Sequence, residues 1–147
     1  MPCKKMMTLL GIPIVAFLLV ITATESYALM SIEEVSTERA KALGIDVRAK
    51  ASGPKHVWVE LEFKTEGALK QFSHVSMEIR DGNELLVGWA PMESKRTKSG
   101  TVVFRFMASR AYLDKICLRI VTVDGLPTNM VGHDLPLRDF VDLDKLR

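Results

Sequence analysis

The sequence predicts an all-β chain, an immunoglobulin-like antiparallel β-sandwich of about seven strands with one short N-terminal helix. Three observations lead there. Several segments alternate apolar and polar residues with a period of two, most clearly "VWVELEFK". Turn-forming residues cluster between those segments, as at Ser52-Gly53-Pro54 and Asp81-Gly82-Asn83. No alternation of strand and helix of the kind that builds a parallel sheet is present, and no repeat or low-complexity tract.

The helix comes first. Ser36 or Thr37 can accept backbone N–H groups as an N-cap, "ERAKAL" is rich in helix formers, and Gly44 suits the position just past the end. Ala40 and Leu43 would face the core. In "IDVRAK", Ile45, Val47 and Ala49 then alternate with Asp46, Arg48 and Lys50. "VWVELEFK" sets Val57, Val59, Leu61 and Phe63 on one face and Trp58, Glu60, Glu62 and Lys64 on the other. "VSMEIR" turns Val75, Met77 and Ile79 inward, and a hairpin at Asp81-Gly82-Asn83 leads into "LLVGWAP". "MESKRTKSG" reads as a polar loop, and "TVVFRFMA" as a strand with Val102, Phe104 and Phe106 inward. "SRAYLD" reads as a turn before the strand "ICLRIVTV", and "DGLPTN" as another loop. "VGHDLPLRDFV" is a last extended segment in which Pro136 favours a place at a sheet edge or in a bulged strand.

Residues 1–28 read as a secretory signal. Lys4 and Lys5 precede an apolar run from Met6 to Ile21, and "TATESYA" places small residues at Ser26 and Ala28 for a cut after Ala28. The alternative is an uncleaved anchor, although the run is short for a membrane span and holds Pro13. Removal leaves 119 of the 147 residues as one sandwich domain, 29–147, and an exported protein of the periplasm, envelope or medium. Lys4, Lys5 and Glu25 leave with the signal, so 20 basic and 18 acidic side chains become 18 and 17. That balance argues against nucleic acid as a partner.

Cys117 is then the one cysteine left, so no internal disulfide can form. Alternation puts its thiol with Lys115 and Arg119, two cations that favour a thiolate. The reading is a partly exposed strand residue whose most credible extra role is a dimer-forming or reactive thiol. A metal or redox site combining Cys117 with Met130 or His133 is the alternative function, but the spacing matches no copper pattern. No cofactor is expected. His56, His74 and His133 sit at strand margins and read as surface or hydrogen-bonding residues rather than ligands. No nucleophile elbow, zinc-protease motif, P-loop or dinucleotide fingerprint occurs, so an enzyme would have to assemble its site only in three dimensions.

Two features read as candidate recognition surfaces. Lys95, Arg96 and Lys98 make a basic loop suited to an anionic polymer or lipid. Trp58 offers a stacking surface for sugars, with Glu60 and Glu62 beside it expecting cross-strand partners such as Arg80 or Arg105. Trp89, beside Val87, reads as packing between the sheets.

The blocks "ERAKALGIDVRAK", "VWVELEFKTEGALKQFSHVSMEIRDG", "ASRAYLDKICLRIVT" and "LPLRDFV" together resemble a group of small exported proteins abundant in planctomycete bacteria. In that group an "A-x-x-x-G-I" helix leads into strands and an "R-D-F-V"-like segment closes the domain. The resemblance implies a secreted β-sandwich and brings no catalytic residues with it. Where the group has a small polar residue in its penultimate strand this chain has Cys117, which weakens a general catalytic role for the thiol. The expectation is an exported, non-catalytic binding or structural module of the cell envelope, partnered by an envelope protein or polysaccharide.

Overall fold

A computed structural model describes residues 29–123 and 129–147. The segment read as a signal, 1–28, and most of the "DGLPTN" loop lie outside the described residues.

Helix α1 (Thr37–Ala42) forms as its capping residues dictate. The Ser36 hydroxyl accepts from the Arg39 N–H, and Gly44, at φ 69°, turns the chain so that the Ile45 N–H reaches the Ala40 carbonyl. Nine strands follow the chain: β1 (Leu29–Glu34), β2 (Asp46–Ser52), β3 (His56–Lys64), β4 (Phe72–Asp81), β5 (Glu84–Trp89), β6 (Glu93–Arg96), β7 (Thr101–Ser109), β8 (Ile116–Val123) and β9 (Asn129–Pro136). They make a five-stranded sheet in the order β1-β9-β8-β4-β5 and a four-stranded sheet in the order β2-β3-β7-β6. All described pairings are antiparallel except β1 with β9, which run parallel.

The inward residues of the alternating segments meet in one core. Val57, Val59, Leu61 and Phe63 of β3 face Val75, Met77 and Ile79 of β4 and Leu118 and Ile120 of β8, and α1 adds Ala40. Three aromatic rings tie the sheets together. Phe63 meets Phe72 edge-on at 5.3 Å and stacks on Phe104 at 5.9 Å, and Phe72 meets Phe104 edge-on at 5.9 Å.

Three expectations need correction. Among the described residues there are nine strands rather than seven, because β1 and β6 were not expected. β1 finds its partner a hundred residues away, Leu29 opposite Asn129, so no turn announces it. β6 is "ESKR", exposed at all four positions, an edge strand with no apolar face to betray it. Pro136 does not push β9 to an edge. β9 lies between β1 and β8, and the proline is its last residue, past Asp134 where the described pairing with β1 ends. "LRDF" then turns helical as α2 (Leu137–Phe140).

Candidate functional site

The outward face of the four-stranded sheet is a grid fixed by strand register. One row crosses all four strands as Arg48, Glu60, Arg105 and Glu93, with alternating charge. Arg105 Nε donates to Glu60 at 2.8 Å and its Nη1 to Glu93 at 3.3 Å, while Arg48 Nη1 donates to Glu60 at 3.5 Å. Arg48 also donates to Asp46 at 2.6 Å and Glu62 at 3.2 Å. Hydrogen bonds donated to Asp46 and Glu60 respectively hold the Arg48 and Arg105 guanidinium groups more firmly in their charged forms. The adjacent row sets Trp58 between Lys50 and Met107.

Trp58 is half-buried and helps to line a shallow cleft of about 480 Å³ with Arg48, Lys50, Glu60, Glu93 and Arg105. A second depression, about 530 Å³, shares Glu60, Glu93 and Arg105 and runs on to Lys95 and Thr97. An indole beside charged hydrogen-bonding groups suits a ligand with one apolar and one hydroxyl-rich aspect. Solvent-exposed ion pairs are weak, so ligand hydroxyls can intervene between them at small cost.

Of the residues singled out in the sequence, Trp58 and Lys95 share this face. Arg96 points elsewhere, its guanidinium 5.7 Å from the Phe72 ring centre, and Lys98 is exposed in the turn after β6. Arg105 partners Glu60 as expected. Arg80 does not, because it belongs to the other sheet. Trp89 shares the inward face of its sheet with Met77 and lines a groove with Met107 and Ala108 of the other sheet, but at the edge strand the sandwich covers it only in part, leaving it 41% exposed.

Cys117 faces away from the core on β8 yet is only 6% exposed, against the partly exposed position expected. Around it, Arg119 of β8, Asp134 of β9 and Glu78 and Arg80 of β4 form a compact network. Arg119 grips Asp134 with Nε at 2.6 Å and Nη2 at 2.9 Å. Arg80 reaches Asp134 with Nη1 at 2.6 Å and Glu78 with Nε at 2.8 Å. The two carboxylates offset the cations that were expected to favour a thiolate. Burial first, and then Asp134, push the Cys117 thiol up to about 12. Alkylation of native protein at pH 8 is therefore expected to be slower than that of denatured protein by at least about a hundredfold. Iodoacetamide labelling followed by mass spectrometry measures it, and equal rates would mean that the thiol is open.

A third cluster was not legible at all. His133, read as a surface or hydrogen-bonding residue, is buried and hydrogen-bonded, with Nε2 3.1 Å from the Thr122 hydroxyl and Nδ1 3.5 Å from a Glu33 carboxylate oxygen. Desolvation lowers its pKa below 6.5. The cleft it lines, about 530 Å³, also holds Arg39, Lys70 and Gln71. Three strands supply Glu33, Thr122 and His133, and only the register of β1 and β8 on β9 brings those three together. That register also separates the donors named for a metal site. Cys117 and His133 lie on opposite faces of the sheet, three positions or roughly 10 Å apart along the strands. Among the described residues no group of three or more His, Cys, Asp and Glu side chains is placed to hold a metal ion.

Compared with family models, with curated proteins and with solved structures, the chain finds no match in any of the three.

Proposed function

We propose that this chain is an exported, non-catalytic binding module of the cell envelope, an immunoglobulin-like sandwich that holds a polysaccharide on its Trp58 face. The observation that carries the reading is the half-buried indole beside a row of paired but solvent-exposed charges, in a cleft open along the sheet. Sugar rings stack on such an indole, while their hydroxyls meet the carboxylates and guanidinium groups around it. Export is supported by the signal-like residues 1–28 and by the resemblance to exported planctomycete proteins.

The test is binding to isolated envelope polysaccharide, measured by sedimentation of the protein with insoluble material and by calorimetry with soluble fragments. Trp58→Ala is expected to weaken binding about tenfold, or ~1.4 kcal/mol, and to leave cooperative unfolding intact. Binding that is absent in the parent protein, or unchanged in the variant, overturns the assignment. His133 Nε2 lies 3.1 Å from the Thr122 hydroxyl, the pairing of base and nucleophile that acyl transfer uses, although Nδ1 makes no hydrogen bond that would orient the ring. Ester hydrolysis abolished by His133→Ala would replace the non-catalytic reading with that one.

A further inference from the structure

Among the described residues, nine large apolar side chains are exposed. Six of them gather along one margin of the sandwich: Leu85, Leu86, Val87 and Trp89 of β5, with Met107 and Tyr112 beside them. All but Leu85 line one groove of about 240 Å³. At roughly 200 Å² for a large side chain, their exposed fractions amount to about 550 Å². That is at the top of what a monomer ordinarily shows in one patch.

β5 is also an edge strand, with one row of backbone N–H and C=O groups unpaired among the described residues. Each of the other three edges carries charge. β1 has Glu33 and Glu34, β2 has Asp46, Arg48 and Lys50, and β6 is charged at three of four positions. Such charges are how sheets block unwanted pairing. β5 has only Glu84, at its start, and its one irregularity is a bulge opposite Ile79 and Arg80. From Leu85 to Trp89 the edge is uncharged and free of proline.

We propose that β5 pairs antiparallel with β5 of a second copy of this chain across a two-fold axis, joining two five-stranded sheets into one of ten strands. A two-fold contact sets a patch against itself, which suits an apolar surface. Pairing centred between Leu86 and Val87 places each Glu84 opposite the partner's Trp89. The two carboxylates then lie about 17 Å apart, five residues of strand; a parallel arrangement would set them side by side. With the main chain of β5 added, the patch approaches the ~800 Å² per partner of a stable interface. The Trp58 cleft is lined by the other sheet and shares no residue with this groove, so this proposal does not rest on the polysaccharide reading.

The experiment is sedimentation equilibrium of the protein purified after export, up to about 100 µM, with and without reductant. A dimer mass insensitive to reductant is expected, since Cys117 is buried away from this edge. Val87→Lys, and Leu85→Lys as a second variant should the first fail to fold, are expected to raise the dissociation constant at least tenfold, with unchanged circular dichroism. A parent protein that stays monomeric, a dimer split by reductant, or folded variants that remain dimeric each overturn the proposal.

Discussion

Replacing Asp134 with alanine is expected to cost about 3–5 kcal/mol of folding stability. Asp134 is 4% exposed and accepts two hydrogen bonds from Arg119 and one from Arg80. Without it, two guanidinium groups would share the single carboxylate of Glu78 in a place where water cannot replace the missing partner. The bond to Asp134 is the leading reason that Arg119 is held in its charged form against the cost of its burial. Urea unfolding followed by circular dichroism reads the loss directly. A loss below about 1 kcal/mol would mean that solvent reaches the network freely. The double variant Arg119→Met with Asp134→Leu keeps the Arg80–Glu78 pair whole and is expected to be more stable than Asp134→Ala alone. Removing both partners leaves neither charge unpaired.

Phe63→Ala is the second large effect, also about 3–5 kcal/mol. Phe63 is 0% exposed and belongs to β3, but it touches Phe72 of the opposite sheet as well as Phe104 of its own. Truncation removes the shared member of two ring contacts and leaves a cavity whose walls are strands held by their hydrogen bonds, so collapse is limited. Calorimetry of the variant should show a markedly lower melting temperature. A loss under about 1.5 kcal/mol would mean that Phe72 and Phe104 close over the gap.

Phe63 was legible from the sequence because period-two alternation needs only local neighbours. The same reasoning placed Val57, Val59, Leu61, Met77, Ile79, Phe104 and Phe106 in the core, all of which are buried. It also put Trp58, Glu60 and Glu62 on one outward face. It failed where burial arises between strands. Glu78, Arg119 and Asp134 occupy the polar phase of their segments, yet all three are buried, and β8, a central strand between β4 and β9, is buried on both of its faces along nearly all its length. Arg119 in the otherwise apolar "ICLRIVTV" was the one local hint. A lone cation in such a strand asks for a buried carboxylate, and Asp134 lies directly opposite it. The burial of His133 was missed for a related reason, since Thr122 and Glu33 reach it from separate strands. The apolar β5 was read correctly as a strand, but whether a strand lies at an edge is set by sheet order, which local pattern does not encode.

The parallel joining of β1 to β9 has a kinetic consequence. Residue 29 must wait for residue 129 before its strand has a partner, so the first described strand is also among the last that can be sealed. Closing a loop of that span carries a large entropic penalty early in folding, and chains dominated by such distant pairings fold slowly. Until then β9 is itself a free edge, with its backbone unpaired on the side that β1 will cover. An emerging chain stalled at that stage would be most open to proteolysis or mispairing at β9, and clipping β1 from the finished protein would return it to that condition.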